Sequence, residues 1–329
     1  MLKRIAALAL LGVGISLSGT AGAKELKLAS FVPPAHTMHK ALMVPFAEAV
    51  AAATNGALTV RIYPGGELGA GPQQQYMRAV QGAADLSFGL QGYTSSQFPR
   101  TLMAELPGLG TDPVEMTNRI WNAIDLIRDD YKGTVPIAIW TNEPNIVMSR
   151  EKEVRALDDL KGMKLRVPGA VMARVLERLG ATPVPMPATK MYESMQTGVV
   201  DGVLTGSTSI NGFKISEVAK SFSTGMPFGV ATFFLVMNKA SYDGLTAAEK
   251  AAVDKAGGRE LSLRAAKAYG DAAIAGLEAM KKDGSKTVIA MSDAEIAKLK
   301  PILEEASLAE IEAAEKAGIP ARKILEAMK

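Results

Sequence analysis

The stretch Met163-Lys-Leu-Arg-Val-Pro168 constrains the fold of this chain more than any other. Side chains alternate between the two faces of a strand, so the apolar residues share one face and Lys164 and Arg166 share the other. Pro168 cannot donate a hydrogen bond to a neighbouring strand and is expected to end this one. Arg166 would then lie at the carboxyl end of a strand, where open α/β sheets place their ligand crevices.

Arg166 has two interpretations at this point. A guanidinium can hold a carboxylate through two parallel hydrogen bonds, which predicts a ligand-binding role. The alternative is a surface arginine on an edge strand. Both interpretations fit the pattern of the strand, so the choice depends on the residues that surround Arg166.

Strand and helix patterns alternate along the rest of the chain. Residues 25–29, 58–63 and 233–237 have the alternation or the apolar character of strands, whereas residues 38–53 and 171–179 have helical apolar spacing. This order predicts an α/β fold with helices on the faces of a sheet. The length of 329 residues exceeds one typical domain and suits two.

The last third of the chain is predicted to be helical. Thr246 and Glu249 fit a capping box, in which the two side chains satisfy amide donors at a helix start. The helix is expected to continue to about Lys282, with a bend at Gly257 and Gly258.

Three shorter signals give further local predictions. Ser292 and Glu295 fit a second capping box. Thr189 is predicted to cap a helix over residues 190–197, and residues 199–200 are predicted to form a short strand.

The first 23 residues have the features of a secretory signal peptide. Lys3 and Arg4 form a positive region, residues 5–17 are apolar, and residues 21–23 form a small-x-small cleavage signal. A membrane anchor is the alternative, but the apolar run is short compared with the roughly 20 residues that span a bilayer. The pattern therefore predicts cleavage near Ala23 and export of the mature chain.

The composition excludes several classes of function. The chain has no cysteine, which excludes disulfides, thiolate metal sites and cysteine nucleophiles. Removing Lys3 and Arg4 lowers the formal net charge from +3 to +1. A nearly neutral chain gives no electrostatic reason to expect nucleic acid or an anionic membrane as a partner. No later segment is apolar enough to span a membrane, so the mature protein is not expected to be membrane-inserted.

The motifs of common enzymes and cofactor sites are missing. His36 and His39 are the only histidines, and no carboxylate pattern beside them forms a recognisable metal motif. Neither a G-x-S-x-G elbow nor a Walker loop occurs. The sequence therefore predicts no metal, no cofactor and no catalytic residues.

Several aromatic residues lie in loops next to predicted strand ends. Phe31, Tyr93 and Phe98 could each serve only to pack the core. Together they could form the apolar wall of a small-ligand site.

Four blocks around Arg166 follow one another in a characteristic order: Asp159-Leu-Lys-Gly-Met-Lys-Leu-Arg-Val-Pro168, Leu179-Gly-Ala-Thr-Pro-Val-Pro-Met186, Met191-Tyr192 and Met195-Gln-Thr-Gly-Val-Val-Asp-Gly202. Shorter supporting stretches are Tyr63-Pro-Gly-Gly-Glu-Leu68 and Val236-Met-Asn-Lys239. This arrangement resembles the DctP-type solute-binding proteins of TRAP transporters, which are tripartite, ATP-independent periplasmic uptake systems. The resemblance covers nearly the whole mature chain.

The resemblance implies a type II-like periplasmic binding protein with two α/β lobes, an interlobe ligand cleft and a long helix spanning both lobes. The expected domains are a signal peptide over residues 1–23, lobe I over 24–145 plus about 231–262, and lobe II over about 146–230 plus about 263–329. Such a protein would capture an organic acid in the periplasm and deliver it to the membrane permease subunits. It would not be an enzyme.

The family's ligand-pairing arginine falls on Arg166, but other positions depart from the family pattern. Thr205 stands where many members have an asparagine that contacts the ligand. Sialic-acid binders have a second arginine where this sequence has Pro144, beside Asn145. They have a phenylalanine where this sequence has Ala188. These departures predict a monocarboxylate with an apolar or aromatic tail, such as a keto or hydroxy acid. The predicted ligand-binding residues are Arg166, Thr205, Tyr93, Phe31, His36, Asn145, Phe228 and Leu204, with Phe213 as a further candidate for the tail.

Three alternatives remain open at the level of sequence. An exported enzyme of similar shape would need a catalytic set that is not visible. A binding protein of an ABC importer would share the gross shape, and the linear block around Arg166 argues against it. A ligand-sensing partner of a membrane receptor is compatible with the sequence.

Overall fold

The computed structural model describes residues 23–69 and 71–329. The predicted signal peptide therefore lies outside the described residues, except for Ala23. Within the described part of the chain, no helix is long and apolar enough to cross a membrane.

The strands form two separate sheets. The first sheet has the order β2-β1-β3-β10-β4, and the second has the order β11-β9-β5-β8-β6-β7. The strands of the first sheet are β1 (Lys24–Ala29), β2 (Leu58–Tyr63), β3 (Leu86–Leu90), β4 (Thr134–Thr141) and β10 (Thr232–Asn238). The strands of the second sheet are β5 (Asn145–Ser149), β6 (Lys164–Val167), β7 (Thr182–Pro185), β8 (Gly202–Gly206), β9 (Ser221–Thr224) and β11 (Thr287–Ala290).

Helices connect and cover these strands. The α-helices are α1 (Val44–Ala53), α2 (Gln75–Val80), α3 (Pro113–Asn122), α4 (Ile124–Ile127), α5 (Ala170–Arg178), α6 (Met191–Gln196), α7 (Ser209–Gly212), α8 (Lys239–Asp243), α9 (Ala247–Ala256), α10 (Gly258–Lys282), α11 (Asp293–Lys316) and α12 (Ala321–Ala327). The predicted α/β class is confirmed. We call the region built around the first sheet the first lobe and the region built around the second sheet the second lobe. The exact domain boundaries stay a prediction.

Two chain segments connect the sheets side by side. One runs from β4 to β5, and the other runs from β9 to β10. Because β4 pairs with β10 and β5 pairs with β9, both in antiparallel fashion, the two connections lie together. Asn142 and Asn145 join them: the Asn142 side chain accepts from the Ala231 amide at 2.6 Å, and the Asn145 side chain donates to the Gly229 carbonyl at 3.1 Å.

The long helix predicted from Thr246 is confirmed. Thr246 and Glu249 form both halves of the capping box, and α9 continues into α10 after a break at Gly257. The second part, α10, contacts β4 and α3 near the first sheet and α7 and β11 near the second. The bent helix therefore spans both lobes.

The other local predictions had mixed outcomes. Ser292 caps α11, but Glu295 does not complete the box, because its side chain accepts from the distant Leu157 amide at 2.8 Å. The predicted Thr189 cap is wrong: Thr189 lies inside a 3-10 turn, Ala188–Lys190, that precedes α6. The strand predicted at residues 199–200 is also wrong, since β8 begins at Gly202.

Candidate ligand-binding site

Arg166 lies on an inner strand of the second sheet. Its strand, β6, is paired in parallel with β7 on one side and β8 on the other. The strand ends at Val167, as the sequence predicted. Arg166 is only 1% exposed. The alternative of a surface arginine on an edge strand is therefore wrong, because neighbouring strands and the opposite lobe cover the side chain.

The guanidinium of Arg166 is only partly satisfied. Its Nε donates to the Met186 carbonyl at 2.9 Å, whereas Nη2 is buried and has no hydrogen-bond partner among the described residues. Burial lowers the pKa of Arg166, and the nearby Tyr93 hydroxyl opposes this effect. No carboxylate of the described part of the chain contributes to that balance. The site therefore holds a buried guanidinium without a counter-charge.

Tyr93 connects Arg166 to the opposite lobe. It follows β3 of the first sheet, and its hydroxyl accepts a hydrogen bond from the Ala188 amide of the second lobe at 2.8 Å. Burial raises the pKa of Tyr93, while the positive charge of Arg166 lowers it. The phenol ring lies 6.1 Å from the ring of Phe31. Tyr93 thus forms a wall that contacts both Arg166 and the aromatic residues of the first lobe.

A small cavity lies beside Arg166, between the two sheets. Its volume is about 30 Å³, close to the space of one water molecule. Arg166 is not a lining residue, but its strand β6 lies between β8, which contains the lining residue Thr205, and β7, which leads to the lining residue Ala188. The lining that the structure describes includes no lysine, arginine, aspartate or glutamate. Its residues are Phe31, Val32, His36, Phe88, Leu90, Asn142, Ala188, Thr205, Thr208, Ser209, Phe213, Phe233 and Tyr269.

Stacked aromatic rings form the side of the cavity that belongs to the first lobe. Phe31 stacks on Phe88 with ring centroids 5.2 Å apart, and Phe88 stacks on Phe233 at 6.2 Å. Tyr269 of α10 lies 5.1 Å from Phe233. Offset and tilted ring pairs of this kind give a rigid apolar surface that suits a flat apolar ligand.

The cavity also has a polar region, to which both lobes contribute. His36 comes from the loop after β1, and its Nδ1 accepts from the Met38 amide at 3.1 Å. The hydroxyls of Thr205 and Ser209, from the second lobe, are 3.3 Å apart. Burial is the main reason that the pKa of His36 falls to about 4, so the imidazole is neutral near pH 7.

The structure brings together five of the eight predicted site residues. Phe31, His36 and Thr205 line the cavity, and Tyr93 bonds to the lining residue Ala188 and interacts with Arg166. Phe213, the further candidate for the ligand tail, also lines the cavity.

The other three predicted residues lie outside the cavity lining. Leu204 and Phe228 are fully buried in a hydrophobic cluster, where their side chains stabilise the fold. Asn145 has its amide hydrogen-bonded to Gly229 and therefore links the two connections between the sheets. The structure gives these side chains a packing or linking role, and their predicted ligand contacts stay predictions.

Sequence reasoning missed other lining residues. Ser209, Phe88 and Phe233 lie in segments that carry no recognisable motif, and Tyr269 is about one hundred residues from Arg166 in the chain. Asn142 reaches the cavity from the first connection, whereas Pro144 lines a different groove. The aromatic character of two residues within apolar strands is the signal that could have indicated Phe88 and Phe233.

The groove lined by Pro144 is larger than the cavity but is a poorer candidate for binding an acid. It has a volume of about 670 Å³ and lies beside α10. Lys267, its lining cation in the described part of the chain, already pairs with Asp271 at 2.7 Å. The small cavity beside Arg166, which has no carboxylate partner in the described part of the chain, is therefore the better candidate for an acid-binding site.

Comparison with known proteins agrees with this geometry. Residues 28–312 match the family model DctP, described as bacterial extracellular solute-binding protein, family 7. The chain belongs to this family. The members of this family are solute-binding proteins, and the structural neighbours of this DctP-family protein are solute-binding proteins of TRAP systems.

Solved structures resemble the DctP-family protein along nearly its whole length. A TRAP solute-binding protein from Rhodoferax ferrireducens, in complex with copurified benzoate, is 26% identical, with a TM-score of 0.88 over 92% of this chain and 96% of that one. A marine metagenome protein specific for aromatic acid ligands, in complex with 3-hydroxybenzoate, is 27% identical, with a TM-score of 0.89 over 93% and 97%. A protein from Bordetella bronchiseptica with bound mandelate is 26% identical, with a TM-score of 0.85 over 92% and 97%.

Curated relatives of the DctP-family protein are similar over a smaller share of their length. A solute-binding protein from Albidiferax ferrireducens is 32% identical over 61% of this chain and 60% of its own length. The C4-dicarboxylate-binding periplasmic protein DctP of Rhodobacter capsulatus is 28% identical over 62% of each chain.

Proposed function

We propose that this protein is the solute-binding subunit of a TRAP transporter and captures a monocarboxylic acid with an aromatic ring. The observation that carries the proposal is the buried guanidinium of Arg166, whose Nη2 has no partner among the described residues. A buried charge is costly unless it is paired and hydrogen-bonded. A ligand carboxylate would supply both the counter-charge and the missing hydrogen bond.

The cavity lining favours one carboxylate over two. Arg166 is the cation that adjoins the described lining, and His36 is neutral because its pKa is about 4. A second carboxylate would enter the cavity without a positive partner. The stacked rings of Phe31, Phe88 and Phe233 favour an aromatic tail instead. Neighbours with 26% or 27% identity that hold benzoate, 3-hydroxybenzoate or mandelate support the same class of ligand.

Ligand capture would involve closure of the two lobes. A volume of about 30 Å³ is far below the roughly 300–1,000 Å³ of ligand pockets, so the ligand must enter while the lobes are further apart. Both lobes contribute to the lining, and a ligand that contacts both favours the closed state. The closed protein would then deliver the acid to the membrane permease subunits. This cycle requires a periplasmic location and no covalent change to the acid.

Native mass spectrometry of the purified protein would test the proposal. We expect a noncovalent adduct that is lost on denaturation and has the mass of an aromatic monocarboxylic acid. Arg166→Ala, prepared in the same way, should lack the adduct. A ligand without a carboxylate, or the same occupancy in both proteins, would contradict the proposed function. If no adduct survives purification, thermal shifts with benzoate and mandelate give the same comparison, because a ligand that binds the native state stabilises it.

A further inference from the structure

The chemical state of His36 is determined by its surroundings. Its Nδ1 accepts the Met38 amide hydrogen at 3.1 Å, so in the neutral imidazole the proton must reside on Nε2. Burial lowers the pKa of His36 to about 4, so the ring stays neutral at higher pH. His36 therefore offers one fixed N–H donor near neutral pH and no positive charge.

The position of the His36 ring is also fixed. The ring makes edge contacts with Phe213 at 5.4 Å and with Tyr269 at 6.3 Å. It lies so close to Gly212 that a Cβ atom built there would be 3.0 Å from His36 Cδ2 and 3.3 Å from Nε2. The absence of a side chain at Gly212 thus allows the imidazole to occupy this part of the cavity lining.

The second lobe adds hydroxyl groups to the same region. Thr205 Oγ1 and Ser209 Oγ are 3.3 Å apart, and both residues line the cavity with His36. A pair of hydroxyls that share one hydrogen bond keeps a second O–H proton and free lone pairs. The polar region therefore presents an N–H donor from one lobe and a donor–acceptor pair from the other.

We propose that His36, Thr205 and Ser209 form a subsite that selects acids whose aromatic ring carries a hydroxyl group. This inference rests on the proposed function, because it assumes that Arg166 holds the carboxylate. A hydroxyl both accepts and donates, so it can accept from His36 Nε2–H and donate to an oxygen of Thr205 or Ser209. A second carboxylate would find no cation there, and an unsubstituted ring would leave the His36 donor unpaired, which is costly when it is buried.

The subsite also links ligand recognition to lobe closure. His36 belongs to the first lobe and Ser209 to the second, so a ring hydroxyl that bonds to both bridges the lobes. An unsubstituted acid lacks this bridge although it retains the carboxylate contact. Hydroxylated acids should therefore favour the closed state more strongly than their unsubstituted analogues.

Calorimetric titration with matched acids would test the subsite. The probes are benzoate, 3-hydroxybenzoate, 4-hydroxybenzoate and the dicarboxylate isophthalate. The wild-type protein should bind the better hydroxybenzoate about tenfold or more tightly than benzoate, as expected for two added hydrogen bonds, and isophthalate most weakly. His36→Phe keeps a ring but removes the donor, and Ser209→Ala removes a hydroxyl. Each should reduce the preference for the hydroxylated acid, and His36→Phe should bring the ratio of dissociation constants near 1.

Controls separate this inference from the proposed function. His39→Gln alters the other histidine, which lies outside the cavity lining, and should keep the wild-type preference. If the acids bind in an Arg166-dependent way but without a hydroxyl preference, or if both variants retain the preference, the subsite is wrong and the proposed function stands. If none of the acids binds the wild-type protein, both are wrong. Ser209→Ala and the wild-type ligand series remain decisive even if His36→Phe does not fold.

Discussion

The hydroxyl of Tyr93 accepts a hydrogen bond from the backbone amide of Ala188 at 2.8 Å, and this bond joins the two lobes beside Arg166. Tyr93→Phe would remove the bond and leave the buried Ala188 amide without its acceptor. Loss of one such bond typically costs about 1 kcal/mol, which corresponds to about a fivefold loss of affinity if the bond forms only on closure. Calorimetry with the preferred acid would measure this loss.

Small-angle scattering would show whether the Tyr93 bond acts through closure. The liganded Tyr93→Phe protein should retain a larger radius of gyration than the liganded wild-type protein at equal ligand concentration. Tyr242→Phe is the matched control, because the Tyr242 hydroxyl bonds to Asp254 at 2.9 Å, away from the cavity lining. Equal losses of affinity in the two variants would show that the Tyr93 bond is not specific to closure.

A contact between two glycines sets how closely the lobes approach. Gly169 follows β6 in the second lobe, and Gly92 follows β3 in the first. A Cβ atom on Gly169 would lie 2.9 Å from the carbonyl oxygen of Gly92, which is too close for contact with backbone. Gly169→Ala should therefore hinder closure and lower ligand affinity by about tenfold, since even a partial clash of this kind costs about 1–3 kcal/mol.

The partner glycine provides the control for this prediction. A Cβ atom on Gly92 would be 3.7 Å from the nearest atom, which is an ordinary contact distance. Gly92→Ala should thus bind ligand nearly as the wild-type protein does. Titration of both variants with the same acid measures the difference, and an unchanged affinity in Gly169→Ala would show that the glycine contact does not limit closure.

Removal of the guanidinium should affect ligand binding directly. Arg166→Ala should weaken binding of the acid by about 10- to 150-fold, the equivalent of about 1.5–3 kcal/mol for hydrogen bonds to a charged group. Arg166→Lys should recover only part of the affinity, because an ammonium cannot make the same planar, two-pronged contact. Calorimetric titration gives the dissociation constants.

An exposed arginine, Arg174, provides the control for the Arg166→Ala variant. Arg174 pairs with Glu310 at the surface of α5 and lies outside the cavity lining. Arg174→Ala should bind the acid as the wild-type protein does. An Arg166→Ala protein that remains folded and binds with wild-type affinity would rule out the role of Arg166 as the carboxylate anchor.

Local sequence patterns predicted the elements whose contacts are themselves local. The Thr246 cap depends on a glutamate three residues away, and the strand of Arg166 depends on alternation and on Pro168, so both predictions were confirmed. The second capping box was only half right, because Glu295 bonds to an amide 138 residues earlier in the chain. A distant partner of this kind leaves no trace in the local pattern.

The site was harder to predict than the fold for the same reason. The family resemblance pointed to Arg166, but it could not show that the side chain is buried without a counter-charge. Leu204 and Phe228 are apolar residues near the site in sequence, and only the packing of the core shows that they lie outside the cavity lining. Tyr269 reaches the cavity because α10 crosses both lobes, which requires the complete fold.

Buried glutamates at the junction of the lobes should make stability depend on pH. Burial raises the pKa of Glu105 and of Glu143 to about 7 from an ordinary value of 4.5. The folded protein thus holds protons that the unfolded chain releases between pH 4.5 and 7. Each glutamate contributes stability that is fully present below pH 4.5 and is lost as the pH rises through 7, by about 3 kcal/mol at most.

Two other buried groups modify this profile. Burial raises the pKa of Asp130 to about 6, so its effect has the same sign as that of the glutamates. The pKa of His36 falls to about 4, and a neutral buried histidine contributes stability above pH 6.5 that is lost as the pH falls towards 4. Three acids outweigh one histidine, so the free energy of unfolding should decrease between pH 5 and 7.5. Urea titrations at a series of pH values would measure the slope.

Glu143→Gln would test the origin of the slope with little change in shape. Glu143 Oε1 accepts from the Thr208 amide at 2.6 Å and from its hydroxyl at 2.9 Å, and a glutamine oxygen can accept both bonds. Oε2 is buried without a partner among the described residues, so the glutamine nitrogen would take a position that holds no hydrogen bond now. The variant should be at least as stable as the wild type at pH 7.5 and should show a shallower decline. Glu312→Gln, at an exposed position on α11, should leave the slope unchanged. Parallel profiles for the wild type and Glu143→Gln would show that the pKa of Glu143 is the same in the folded and unfolded protein.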